Sequence, residues 1–228
     1  MRTTQRSAAM ANDAAIVAEA LTAYVEREII PRYAAFDKAH REDHARMVIG
    51  QSMKLAAQMP ELCADMVYAI AAFHDLGLAE GREHHHTASR RILEHDGFIA
   101  SHFSPQQIEL MGEEVEDHRA SNGQRPRSVY GLVVAEADRC IDAETIIRRT
   151  VQYGLSHYPE LDREGHFRRT MEHLKEKYGP RGYLKLWIAE SDNARRLKLL
   201  QDMLEKPGLM REIFDRTFDE ESGRSVVI

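Results

Sequence analysis

Three observations on the 228-residue chain predict an all-α fold. Apolar residues recur at three- and four-residue spacing along almost its whole length, the period of an amphipathic helix. Alternating β-branched runs bounded by turn residues, the pattern of strands, are absent from the sequence. Helix start and stop signals fall between the periodic stretches. No internal repeat and no low-complexity segment interrupts the pattern.

Each helix can be placed in turn. Asn12 and Asp13 offer caps for a first helix whose stripe is Ile16, Val17, Ala20, Leu21, Tyr24 and Val25, expected to end before Pro31. A second starts near Asp43 and puts His44, Met47, Val48, Gln51 and Leu55 on one face. A third follows Pro60, carries Leu62, Met66, Ala69, Ile70 and Phe73, and stops at Gly77. After the polar turn from Glu80 to His86, a fourth is entered at Thr87 and closed by Gly97. Ser104-Pro105-Gln106-Gln107 combines a capping serine, proline at the first helical position and glutamine three residues after the cap. The helix it opens carries Ile108, Met111, Val115 and then His118 at one angular position. Beyond the loop with Asn122-Gly123 and Pro126, a helix from about Ser128 contains Leu132, Val133, Ala137, Asp138 and Ile141. The remainder holds three or four amphipathic helices. One has Phe167, Met171, Leu174 and Tyr178 before Gly179-Pro180, and one spans roughly Tyr183 to Leu204.

Composition narrows the function. The chain has 31 basic against 37 acidic residues, a net charge of -6, and no long block of either sign. A nucleic-acid polymer needs a basic face, so such a partner is not expected. A small anionic ligand is compatible, because a local pocket can be positive on an acidic protein. Two cysteines, Cys63 and Cys140, lie within apolar helical patterns and are too few for a disulfide framework. The stretch from Met1 to Ala20 lacks the apolar run of a signal peptide. No window approaches the roughly 18 apolar residues that span a bilayer. A cytoplasmic protein without a membrane partner is the expectation.

The histidine count is high, 12 residues, and several cluster. Phe73-His74-Asp75 ends an apolar helix, where a buried ionisable pair would cost several kcal/mol without a partner. A metal ion removes that cost, since neutral imidazole and carboxylate are both ligands. Adjacent helical residues diverge by about 100°, so this pair can meet only on something between them. A solvated helix end capped by Asp75 is the simpler alternative. Asp138 interrupts the core-like Val133-Val134-Ala135-Glu136-Ala137, His44 shares a face with Met47, Val48 and Leu55, and His118 continues an apolar stripe. Each alone reads as a satisfied core polar residue. Four such residues on separate helices point to one polar focus.

The ordered set His44, His74-Asp75 and Asp138 resembles the HD superfamily, whose pattern is one histidine, then His-Asp, then a distal aspartate. Phe73-His74-Asp75-Leu76-Gly77 after an Ala/Ile-rich helix and Ala135-Glu136-Ala137-Asp138-Arg139 are similar too. The resemblance covers about residues 15 to 155. It implies an all-α HD-domain bundle over 1–155; outside the resemblance, the later helices read as an additional C-terminal helical extension at 156–220 packed on it, and 221–228 as a disordered tail. It implies a phosphohydrolase cleaving a small phosphate ester or anhydride, a nucleotide above all, with His44, His74, Asp75 and Asp138 holding a divalent ion. Nitrogen and oxygen ligands without thiolate suit Mn, Fe, Co, Ni, Zn or Mg. Such an ion lowers the pKa of water towards about 7 and polarises a phosphoryl oxygen.

Some branches of the family hold two metals through extra histidines. Here His85 or His86, with His118, stands in that interval, and His86 is preferred because it abuts the helix start. One ion is expected ahead of two. A glutamate a turn after the His-Asp pair acts as general acid or base in the nucleotidase branch, and Glu80 and Glu83 stand nearest that position beside Asp75. Arg82, Arg119 and Arg125 are candidate phosphate contacts through bidentate hydrogen bonds. Two other readings use the same residues. One is a di-iron oxygenase, since inositol oxygenase and a phosphonate oxygenase share the HD scaffold. The other is a non-enzymatic nucleotide sensor whose C-terminal helices form a partner surface, which leaves a homodimer open. His40 and His44 at i and i+4 resemble a zinc peptidase helix, but Arg41 and Asp43 occupy the positions where that motif needs glutamate. A phosphate-binding glycine loop and a Gly-x-Ser-x-Gly elbow are absent.

Overall fold

Val17, Leu21 and Val25 begin an apolar stripe, and the chain winds helically from Glu19 onward. The computed structural model describes residues 17–36, 41–119 and 124–223, and among these there is no strand. Asn12, Asp13 and Ile16, the expected opening of the first helix, lie outside the described residues, as do His40, Asn122-Gly123 and the tail from 224. The chain divides into two units, residues 1–138 and 139–228.

In the first unit, α1 (Glu19–Tyr24) runs directly into a π turn, Val25–Ile29, and then a 3-10 turn, Ile30–Ala35. Pro31 does not end the run as expected. It sits at the start of the 3-10 turn, where a missing N–H leaves no bond unmade. This rod buries Leu21, Val25, Ile29, Ile30 and Tyr33. Its start is pinned by the Ala18 amide on Asp65 Oδ1 at 2.8 Å, and Tyr24 donates to Asp96 at 2.5 Å while stacking on Phe98.

The centre of the unit is α3 (Ala64–Phe73), in which every residue from Met66 to Phe73 is buried. A helix apolar all round belongs inside a bundle, and α3 packs against α2 (Glu42–Ala56), α6 (Pro105–Asp117) and α7 (Val129–Asp138). The capping box opens α6 as expected, with Ser104 accepting from the Gln107 amide and Gln107 Oε1 accepting from the Ser104 amide. Gly97 opens a helix instead of closing one. Asp96 accepts from the Phe98 and Ile99 amides at 3.0 Å and caps α5 (Gly97–His102), so α4 (His85–Glu94) ends earlier.

The second unit has its own core of Ile147, Val151, Leu174, Leu200 and Phe214, drawn from α8 (Ala143–His157), α9 (Arg163–Tyr178), α10 (Asp192–Leu204) and α11 (Pro207–Glu221). The boundary expected at 155 would cut α8, whose packing partners are α9 and α11. Ser191 caps α10 by accepting from the Ala194 amide, so the helix starts at Asp192 and not near Tyr183. Glu221, expected to begin a disordered tail, instead closes α11, and Glu220 and Glu221 both accept from Arg148. The cysteines are at element ends and not within helices: Cys63 precedes α3, Cys140 follows α7, and both are exposed and unpaired by disulfide. No helix among the described residues is long and apolar enough to cross a membrane.

Candidate metal centre

The His74-Asp75 pair lies where α3 breaks. His74 keeps helical angles, whereas Asp75 has φ −111° and ψ 5°, and a 3-10 turn, Leu76–Glu80, follows. The change of path lets two adjacent side chains face one point, which a continuous helix forbids. His74 is fully buried and Asp75 is 4 % exposed. From α2, the helix that lies alongside, comes His44, and α7 ends on Asp138.

These groups meet. His74 Nε2 stands 3.3 Å from His44 Nε2 and 3.3 Å from Asp75 Oδ2. His44 Nε2 is 3.6 Å from Asp75 Oδ2 and 3.2 Å from Asp138 Oδ1, and that oxygen is 3.8 Å from His74 Nε2. The other oxygen of Asp75 faces a second pair of imidazoles, His118 Nε2 at 3.4 Å and His85 Nε2 at 3.5 Å. Two trios therefore share one carboxylate: His44, His74 and Asp75, and then Asp75, His85 and His118, each with its ligand atoms within 4.8 Å of one another.

Three of the imidazoles are held in the same way. Nδ1 of His74, His85 and His118 lies 2.8, 2.9 and 2.5 Å from the carbonyl three residues earlier, on Ala71, Arg82 and Val115. A carbonyl only accepts, so Nδ1 carries the proton and Nε2 presents a lone pair to the cluster. Fixing the tautomer through the remote nitrogen is what metal-binding histidines do. Two ring nitrogens 3.3 Å apart, His44 and His74, need a proton or a cation between them. Nitrogen and carboxylate oxygen without sulfur fit a divalent first-row ion or Mg.

The charges of the cluster shift one another. Burial alone would raise both carboxyls, but His74, His118 and His44 hold Asp75 well below the usual carboxylate range. The bond to His44 and the nearby His74 bring Asp138 to about 2 against the same burial. Burial opposes the charged form of His44 as well, yet Asp138 and Asp75 push its pKa up to about 9. His85 moves the other way, lowered by burial and by the charges of His118 and Arg119.

Close packing brings His85 to Asp75. A Cβ on Gly77 would run into the His85 carbonyl and stand 2.6 Å from the Ser89 amide. Only glycine lets the turn after Asp75 lie against the first turn of α4. The Gly77 amide also donates to the buried Ser89 hydroxyl at 2.8 Å. Arg119, directly after His118, donates to the Glu83 carbonyl at 2.6 Å and ties the polar turn to the end of α6.

Where the sequence reading preferred His86, the structure places His85 against Asp75. His86, about 100° further round α4, faces Arg119 with Nδ1 3.4 Å from its guanidinium. His118 does reach the cluster. Glu80 is engaged in a surface ion pair with Arg91, and Glu83 is exposed beside His84, so neither carboxylate joins the two trios. Arg82 and Arg125 are exposed on the turn before α4 and the loop before α7. Arg119, one of the three expected cations, is felt electrostatically at both His85 and His86. The buried Tyr33, whose hydroxyl lies against the backbone of Asp75, has no role in the sequence analysis, and Gly77 enters it as a helix stop and a family-like position without its contact to α4.

Comparison with protein-family models, with curated proteins and with solved structures gives no match.

Proposed function

We propose that this chain is a metal-dependent phosphohydrolase of the HD type, acting on a small phosphate ester or anhydride such as a nucleotide. The observation that carries the reading is the convergence of four Nε2 atoms on two carboxylates at 3.2 to 3.8 Å. His44, His74, Asp75 and Asp138 would hold one divalent ion, and Asp75, His85 and His118 a second. When bound, such ions supply Lewis acidity towards a phosphoryl oxygen and make water acidic near neutrality. The chain's own part is to fix the ligands. Backbone carbonyls bind Nδ1 of three imidazoles and so aim Nε2 at the trios, and Asp75 turns one oxygen to each trio. Arg119 supplies positive charge beside His85 and His86, the sign a phosphate needs.

Phosphate release from a panel of nucleotides and phosphomonoesters, with Mn, Co, Ni, Mg and Fe added separately, tests the proposal. Turnover that depends on metal and is lost on chelation is expected. A metal-loaded protein that releases no phosphate from any member would overturn it. The shared Asp75 favours a second reading, the di-iron oxygenase. Two irons per chain with substrate-dependent oxygen consumption and no phosphate release would select that one.

A further inference from the structure

We infer that the hydroxyl of Tyr33 is a positioning group for the candidate metal centre: it takes over the hydrogen bonds at the break in α3 and thereby aims His74 and Asp75 at one point. The inference rests on the metal-site reading above and concerns how that site is preorganised.

An unbroken helix would pair the Asp75 amide with the Ala71 carbonyl and the Ala72 carbonyl with the Leu76 amide. Here His74 Nδ1 occupies the Ala71 carbonyl at 2.8 Å. The hydroxyl of Tyr33 donates to the Ala72 carbonyl at 2.9 Å, and the Asp75 amide reaches the same hydroxyl at 3.4 Å. One oxygen thus serves a donor and an acceptor that the break would otherwise leave buried without partners, at about 1–3 kcal/mol each. Asp75 is thereby stabilised at its φ of −111° and ψ of 5°, the bridge region between helix and strand. That conformation turns its carboxylate back beside His74.

Tyr33 is itself fixed from below. It is fully buried on the 3-10 turn of the N-terminal rod, its ring meeting Phe36 edge-on at 5.4 Å and tilted towards the His74 ring at 6.3 Å. Its hydroxyl bonds to the main chain of Ala72 and Asp75, so it acts through the backbone that carries the ligand atoms.

The test compares the full chain with its Tyr33→Phe and Val25→Ala variants. Phenylalanine keeps the ring and removes only the hydroxyl. The Val25 change loosens the buried rod without touching it. Cobalt(II) and manganese(II) binding would be measured by calorimetry, the cobalt d–d absorption recorded, and thermal unfolding followed by circular dichroism. Tyr33→Phe should bind metal about 10- to 100-fold more weakly and shift the cobalt bands, while Val25→Ala lowers the unfolding midpoint but keeps affinity and spectrum. If the unsubstituted chain binds neither metal, the metal-site reading itself fails. If it binds them and Tyr33→Phe matches it in affinity and spectrum, the positioning role is wrong. Equal weakening by Val25→Ala, or a Tyr33→Phe chain that does not fold, would show the hydroxyl to be purely structural and overturn the inference as well.

Discussion

The two trios that share Asp75 are built differently. His44 and His74 come from α2 and α3, two helices that pack along their length inside the apolar core, and the end of α7 adds Asp138 to the same point. His85 comes from the first residue of α4, just after a polar turn, and its approach depends on a glycine contact and on Arg119 gripping the Glu83 carbonyl. One side of the carboxylate is set by helix packing and the other by loop conformation. Core packing tolerates little displacement, whereas turn geometry follows a few local bonds. The first trio should therefore be the tighter metal site and the second the more easily lost.

Asp75→Ala removes the element common to both and has the largest expected effect. Metal retention and turnover should be abolished, with the helical circular dichroism signal largely intact. A variant that keeps its metal would mean that the shared carboxylate is not what holds the ions. Next in size comes the contrast between His44→Ala and His85→Ala. Elemental analysis after desalting should find the His85 variant with about one ion fewer per chain and its remaining ion bound nearly as before. His44→Ala should weaken the tighter ion. Identical losses in the two variants would collapse the trios into a single site.

Gly77→Ala tests the loop-built side alone. Its new methyl group must displace the first turn of α4, at about 1–3 kcal/mol for an overpacked contact. The second ion should dissociate more readily while the first stays, as a two-site calorimetric titration would reveal. An alanine variant with unchanged binding would argue that α4 can shift without moving His85. The smallest effect is on pH. His44, raised to about 9, carries a proton at neutral pH that an incoming ion must displace. Metal affinity at the first trio should rise about tenfold per pH unit up to that value and level off above it. Calorimetry in buffers of differing ionisation enthalpy should register proton release at pH 7.5 and little above pH 9.5. Affinity independent of pH across this range would contradict the role assigned to His44.

Helix content could be read from the sequence because the apolar period is nearly continuous, and the capping box at Ser104 was legible to the residue. His44, His74, Asp75, Asp138 and His118 stood out as ionisable groups at core angles, and the structure gathers them. The choice between His85 and His86 was not legible. It turns on where α4 begins, and the contact of Gly77 with the His85 carbonyl brings that first turn against the residues after Asp75. Glu80 and Glu83 were near the right place in sequence, but Arg91 takes the one and solvent the other. Nothing in the sequence marks Tyr33, because a hydroxyl that serves a backbone break 42 residues away leaves no periodic trace. The division after Asp138 was hidden for a similar reason: α8 is amphipathic whichever core it joins.

The π turn at Val25–Ile29 makes chain length, more than residue identity, the sensitive quantity in the N-terminal rod. A π turn spends one more residue than an α turn for nearly the same rotation, so removing one residue there and restoring ordinary α pitch would leave Tyr33 facing almost the same way. An added residue at α pitch would instead rotate Tyr33 by about 100° and swing its hydroxyl away from the Asp75 amide. A single-residue insertion between 25 and 29 should thus damage the candidate metal centre, whereas a single deletion should be tolerated.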